Sequence, residues 1–148
     1  LSFALACDFR VAAESAGLNT SFAGIALSCD SGASWTLPRL VGPARAKELL
    51  LLPRTVPAAE ALTLGLVSRV VPAHELEDAV RELARTLADG PTLAYGSIRR
   101  AVAHSAGVGL ADALVNEAKL MALTGGSSDH RAAVDAFLAK GKPTYSGR

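Results

Sequence analysis

Asp30 is the acidic residue whose surroundings in the sequence best suit acid–base chemistry. It lies within residues 18–42, where an apolar run breaks at the turn sequence CDSG and a short helix-like stretch, ASWTLPRL, follows. Partial desolvation would disfavour its charged form, whereas a nearby helix N-terminus would favour that form. A carboxylate balanced in this way is a candidate general base. The alternative is that Asp30 only caps the following helix, and the local sequence leaves both roles open.

The framework that must position this acid is mostly helical. Apolar residues at helical spacing, with Pro at helix starts and Gly at helix ends, predict helices over residues 43–52, 57–65, 74–88, 92–104, 110–125 and 130–140. The Ala- and Leu-rich opening, residues 1–8, also favours a helix. Short strands are predicted over residues 9–12 and 68–72, and the sequence SSD before residue 130 predicts the N-terminal cap of the last helix.

Composition limits the classes of function. The chain has 148 residues, half of them hydrophobic and 20% charged, with a net charge of +1. This balance predicts a globular domain without the basic excess that nucleic-acid binding needs, and no apolar run reaches the length of a membrane span. The two cysteines and three histidines show no metal-ligand spacing. Cys7 and Cys29 are therefore interpreted as reduced packing residues of a cytoplasmic protein.

Three blocks of sequence carry a resemblance to a known family. Residues 18–42 place Leu18, the segment ALSC, the pair Gly32-Ala33, and then Leu37, Arg39 and Gly42 in one spaced pattern. Residues 55–72 read TVPAAEALTLGLVSRVVP, and the tail reads GKPTYSGR. Together they resemble the C-terminal half of the enoyl-CoA hydratase/isomerase (crotonase) superfamily. The resemblance implies an α/β fold, with the last part of a crotonase-like ββα spiral over residues 1–72 and a helical trimerisation region over residues 73–148. It also implies that the chain is the C-terminal part of a longer protein.

The resemblance assigns a role to Asp30 and argues against another chemistry. The two acids that family hydratases use fall, by register, on Ser2 and Phe22, and neither is acidic. Family isomerases place one carboxylate further along, at the position of Asp30, and the run CDSGASWTLPR is similar to that of the ring-forming aryl-CoA isomerases of phenylacetate breakdown. One acid can move a proton between the α and γ carbons of an enoyl thioester through an enolate. The resemblance places both N–H donors for that enolate before Leu1.

Five further residues are candidate substrate contacts. Phe22, Trp35 and Leu37 are expected to line the acyl pocket, and plain core packing is the alternative for each. The resemblance implies that Phe137 and Lys140 contact coenzyme A, with Lys140 as a point charge on phosphate. A core Phe and a solvated Lys are the corresponding alternatives.

These expectations define one preferred function and two rivals. The preferred function is an enoyl-CoA isomerase of fatty acid metabolism that acts on an acyl-CoA thioester, and the rivals are an enoyl-CoA hydratase (a lyase) and a non-catalytic truncated fragment without an oxyanion hole. We expect no metal and no cofactor beyond the coenzyme A of the substrate. We also expect a homotrimer or a dimer of trimers in the cytoplasm, with no nucleic-acid or membrane partner.

Overall fold

The computed structural model describes all of residues 1–148 and is mixed α/β but mostly helical. The helices are α1 Ser2–Leu5, α2 Ala33–Val41, α3 Pro43–Leu51, α4 Ala58–Thr63, α5 Leu76–Ala88, α6 Thr92–Ser105, α7 Leu110–Gly125 and α8 Ser128–Leu138. The strands are β1 Val11–Ala13, β2 Gly17–Leu18, β3 Val56–Pro57 and β4 Arg69–Val71, and short 3-10 helices cover Ala23–Ile25 and Ala73–Glu75. The chain divides into two compact units, Leu1–Arg81 and Glu82–Arg148.

The first unit contains two small sheets. β1 pairs in parallel with β4, with Ala12 opposite Val70, and β2 pairs antiparallel with β3, with Leu18 opposite Val56. Parallel strands need a long connection, and here the chain between β1 and β4 carries α2, α3 and α4. The two strands predicted from sequence are therefore confirmed, with ends displaced by one or two residues.

The hydrophobic core of the first unit collects one or two side chains from each surrounding element. Its buried members are Leu5, Ala12, Leu37, Ala46, Leu49, Val56, Ala61, Leu66 and Val67. Arg10, just before β1, ties two loops to this core. Its Nε donates to the carbonyl of Leu66 at 2.6 Å, and its Nη1 donates to the carbonyl of Cys7.

Local signals decide where α3 and α4 begin and end. Pro43 is the first residue of α3, where a missing N–H breaks no helical bond. α4 ends in a Schellman motif, because Leu66 N–H donates to the Ala61 carbonyl at 2.8 Å and Gly65 N–H donates to the Leu62 carbonyl at 3.0 Å. Gly65 has φ +76°, the left-handed conformation that this motif requires. Both helices are confirmed.

The second unit contains helices but no strands, and α6 and α7 pack on one another while α7 contacts α8. α8 begins two residues before the predicted start at residue 130. The reason is that Ser127 is the N-cap: its hydroxyl accepts a hydrogen bond from His130 N–H at 3.0 Å. The sequence pattern grouped Asp129 with this cap, but its carboxylate accepts hydrogen bonds from Ser146 and Gly147 instead.

No helix combines the length and the apolar character needed to cross a bilayer. The two units are defined by packing within the chain. The sequence instead predicted a boundary after residue 72, between a spiral core and an oligomerisation region. That functional division stays a prediction.

Candidate active site

Asp30 stands at the start of a tight turn that leads into α2. Its carbonyl accepts a hydrogen bond from Ala33 N–H at 2.9 Å, and both central residues have positive φ, +48° at Ser31 and +79° at Gly32. This is the pattern of a type I′ turn. Gly32 is then the N-cap of α2, and its carbonyl accepts from the N–H groups of Trp35 and Thr36, both at 2.9 Å. The turn thus separates Asp30 from the helix that follows.

The structure contradicts the capping alternative for Asp30. No side chain caps the N-terminus of α2, because the tight turn places Asp30 two residues before the N-cap. Asp30 is also exposed rather than partly desolvated. Its carboxylate therefore forms no hydrogen bond with the N-terminus of α2. Ala33 is the first residue of α2 and does not have a positive φ.

Unfavourable backbone conformations mark the sequence-predicted site. Four residues other than Gly have positive φ. Ser21 precedes the apolar run, Ala26 lies within it, Ser31 is in the Asp30 turn, and Lys140 follows α8. Such conformations cost about 1–3 kcal/mol each and concentrate at functional sites. Three of them lie at or next to a residue that the sequence picks out for catalysis or substrate binding: Ser21 precedes Phe22, Ser31 follows Asp30, and Lys140 is itself a candidate.

Trp35 presents an exposed indole one turn into α2. Its side chain is 54% exposed, so core packing does not explain it. The guanidinium of Arg39 lies 3.8 Å from the centre of the Trp35 ring, and Arg39 Nη1 donates to the Trp35 carbonyl at 2.9 Å. This cation–π contact and hydrogen bond restrain the ring on the helix surface. Arg39 is a residue whose contact the sequence argument missed, although its i, i+4 spacing from Trp35 could have indicated it.

Phe22 and Leu37 differ in the room that they leave for a substrate. Phe22 is half-buried and precedes the Ala23–Ile25 turn, where its carbonyl accepts from Ile25 N–H at 3.1 Å. Leu37 has no exposed surface, and the cavity that it lines holds about 10 Å³. Because ligand pockets hold hundreds of Å³, the packing alternative describes Leu37 in this structure.

Phe137 and Lys140 both lie on the surface of the second unit. Phe137 is 81% exposed, so the core-packing alternative is wrong for this residue. Lys140 follows α8 with φ +53° inside a Schellman motif, in which Gly141 N–H donates to the Ala136 carbonyl at 2.8 Å and Lys140 N–H donates to the Phe137 carbonyl at 3.1 Å. Lys140 occupies the position that Gly65 holds after α4. A lysine there is strained where glycine would not be.

Asp129 forms a second polar centre that the sequence argument did not identify. It is only 4% exposed. Its Oδ1 accepts from Ser146 N–H at 2.7 Å and from the Ser146 hydroxyl at 3.1 Å, and its Oδ2 accepts from Gly147 N–H at 2.9 Å. These bonds, led by the one from Ser146 N–H, hold the pKa of Asp129 below its ordinary value, although burial acts in the opposite direction.

Within the first unit the structure brings Asp30 and Trp35 to the two sides of one turn, with Phe22 earlier in the same segment. Within the second unit it places Phe137 and Lys140 at the end of α8. The roles of these residues in catalysis and binding stay predictions.

Comparison with known proteins identifies the family. A profile of the enoyl-CoA hydratase/isomerase family matches residues 1–148. The 1,2-epoxyphenylacetyl-CoA isomerase of Escherichia coli K12 is 37% identical over 148 residues, which are 99% of this chain and 56% of that protein. A probable enoyl-CoA hydratase of Rhodobacter capsulatus is 38% identical over 147 residues, 99% of this chain and 57% of that protein.

Solved structures agree with these relatives. The crystal structure of an enoyl-CoA hydratase from Bacillus anthracis superimposes with a TM-score of 0.92 at 37% identity, covering 97% of this chain and 56% of that one. The chain thus spans somewhat more than half the length of the relatives it matches. The fold class inferred from the sequence is confirmed, and the chain belongs to the enoyl-CoA hydratase/isomerase family, the crotonase superfamily.

Proposed function

We propose that the protein is an acyl-CoA-processing enzyme that shifts the double bond of an enoyl-CoA thioester, with Asp30 as the acid–base group. The observation that carries the proposal is the placement of Asp30: an exposed carboxylate, displaced from the helix by a turn with two positive φ values, and not used as a cap. A carboxylate in that state can accept a proton from a substrate.

The proposed reaction is a proton transfer within one substrate. The Asp30 carboxylate removes a proton from the α carbon, and the electron pair moves into the thioester to give an extended enolate. The resulting carboxylic acid then returns the proton to the γ carbon, which leaves the double bond conjugated with the thioester. Backbone N–H donors stabilise the enolate oxygen in such reactions, and the transfer itself consumes no metal or redox cofactor.

The rival activities differ from this proposal in their requirements. Hydration by the family's usual route uses two carboxylates, whereas the corresponding positions here are Ser2, which is buried, and Phe22. A relative named 1,2-epoxyphenylacetyl-CoA isomerase and relatives named hydratases match this chain about equally well. The residues at the two acid positions, rather than similarity, favour isomerisation.

Substrate contacts are proposed for residues that the structure leaves accessible. The Trp35 ring, restrained by Arg39, offers an apolar surface for the acyl group, and half-buried Phe22 a second one. Phe137 and Lys140 are proposed to contact the coenzyme A moiety, with the ammonium group paired with phosphate. The strained backbone of Lys140 supports this assignment, since glycine would fold there more easily.

Assembly and location are also proposals. Ile98, Val102 and Met121, on α6 and α7, are 60%, 66% and 72% exposed, and an exposed apolar surface of this kind is typical of subunit contacts. We propose a homotrimer or a dimer of trimers. The free thiols of Cys7 and Cys29 suit a reducing compartment such as the cytoplasm.

The deciding experiment compares Asp30→Asn with the unchanged protein on a 3-enoyl-CoA thioester. We expect kcat for formation of the conjugated 2-enoyl product, followed by ultraviolet absorbance, to fall by about 10²- to 10⁴-fold, because the proton acceptor is lost. Glu14→Gln, which changes another exposed acid of the first unit, is the matched control and should leave kcat unchanged. Isomerisation that survives in Asp30→Asn would refute the assignment. Water addition to crotonyl-CoA by both proteins would favour the hydratase instead.

A further inference from the structure

We propose that Asp129 is a positioning residue, which holds Lys140 and Lys142 in place for contact with the phosphate groups of coenzyme A. The inference rests on the proposed acyl-CoA function. It concerns a buried carboxylate that has no part in the proton transfer and that does not cap its own helix, because Ser127 already does so.

Residues 140–148, which carry Lys140 and Lys142, are anchored at two places, and the first anchor is the clamp between Asp129 and the end of the tail. The carboxylate accepts three hydrogen bonds from Ser146 and Gly147, and Asp129 N–H donates to the Arg148 carbonyl at 2.9 Å. The Ser128 hydroxyl donates to the same carbonyl. Residues 146–148 are therefore bound to the first turn of α8.

The tail is also fitted closely against α6. Gly147 has φ +77°, and a Cβ atom at this position would lie 2.7 Å from Thr92 Oγ1. Only glycine suits both the backbone conformation and the available space. The tail therefore comes close to the start of α6 at Gly147. This contact restricts the path of the tail in addition to the hydrogen bonds of the Asp129 carboxylate.

The second anchor is the Schellman motif at the other end of α8. Its two hydrogen bonds, from Lys140 and Gly141, fix the direction in which the chain leaves the helix. Between the anchors lies a short loop, residues 141–145, in which the ring of Pro143 restricts φ. A segment fixed at both ends and stiffened between them has few conformations.

The charges of the second anchor and of this loop are available to a ligand. Lys140 and Lys142 are exposed, and neither forms an ion pair with an acid of the chain. Two exposed lysines only two residues apart in the sequence suit a ligand with several phosphate oxygens. Without the Asp129 clamp the loop would sample more conformations, and each binding event would then lose more conformational entropy.

The test measures binding of coenzyme A and of pantetheine, which lacks the phosphates, by isothermal titration calorimetry. We expect Asp129→Asn to weaken coenzyme A binding about five- to tenfold, because such indirect effects modulate affinity to this degree. Pantetheine binding and kcat at saturating thioester should not change. Asp135→Asn, an exposed aspartate on the same helix, is the matched control and should bind coenzyme A normally.

Two further variants separate positioning from a general loss of structure. Lys140→Gln should weaken coenzyme A binding, and adding Asp129→Asn to it should weaken binding by less than the product of the two single effects, because both act through the same contact. Should Asp129→Asn fail to fold by circular dichroism, Ser146→Ala removes one of the three bonds and should still weaken coenzyme A binding about twofold.

Each outcome decides between the inference and the function on which it rests. Weaker binding of coenzyme A alone supports the inference, even if the protein shifts no double bond and the isomerase proposal fails. An active isomerase whose Asp129→Asn variant binds coenzyme A normally, or loses pantetheine equally, would overturn the inference and leave the function intact. An unchanged protein that binds no coenzyme A would overturn both.

Discussion

Replacing Lys140 by glycine should make the protein more stable and a poorer ligand binder. Lys140 has φ +53° at the position of the Schellman motif where glycine is usual. A left-handed conformation costs an L-residue about 1–2 kcal/mol. Glycine avoids this cost but loses more backbone entropy on folding, about 0.5–1 kcal/mol. The net gain in the free energy of unfolding is therefore about 1 kcal/mol or slightly less.

The assay is urea unfolding followed by circular dichroism, together with thermal unfolding. For a chain of this size about 1 kcal/mol corresponds to a rise in Tm of about 3 °C. Lys140→Gln is the control, since it removes the same charge but keeps a side chain in the strained conformation. It should show no gain in stability, while both variants bind coenzyme A less tightly. Equal stabilities for the Gly and Gln variants would refute the argument that strain is stored at this residue.

Three further changes test other parts of the structure. The pKa of Asp129 is lowered by its bonds to the tail, so its contribution to stability is complete above the ordinary aspartate pKa and is lost as pH falls through the lower folded value. Between neutral and acid pH the urea midpoint should therefore fall more for the unchanged protein than for Asp129→Asn. Parallel curves for the two proteins would contradict this. Leu37→Ala should lower the free energy of unfolding by about 2–5 kcal/mol because Leu37 is fully buried. Leu52 is 71% exposed, so Leu52→Ala should lower it by less than about 0.5 kcal/mol. Similar urea midpoints for the two variants would show that Leu37 is not a core residue in solution. Trp35 is the only tryptophan of the chain. Arg39→Ala should shift its fluorescence emission to longer wavelength, because water replaces the guanidinium over the ring, and an unchanged spectrum would mean that the stack does not form.

The position of Asp30 shows how far local sequence can lead. The sequence indicated an acid at a turn before a short helix, and that arrangement is present. It did not indicate that two successive positive φ values would separate the acid from the helix, and so the capping alternative stayed open. The conformation of Ser31, a residue with no strong preference for positive φ, depends on what surrounds the turn rather than on its own type.

Most helices and their ends follow from the sequence because the interactions that set them span only a few residues. Pro43 at a helix start, Gly65 after a helix end and Ser127 as a cap each act within one turn. Amphipathic spacing then predicts which segments become helical. These features would persist in many different folds that contain the same segments.

Tertiary structure alone decided the features that join distant parts of the chain or depend on exposure. The clamp joins Asp129 to a backbone N–H 17 residues away, and nothing in the spacing of polar residues specifies that pair. Likewise Leu37 and Trp35 lie on one helix as apolar side chains, yet one is fully buried and the other 54% exposed. Residue type determines what a side chain can do, whereas the elements packed around it determine whether a substrate can reach it.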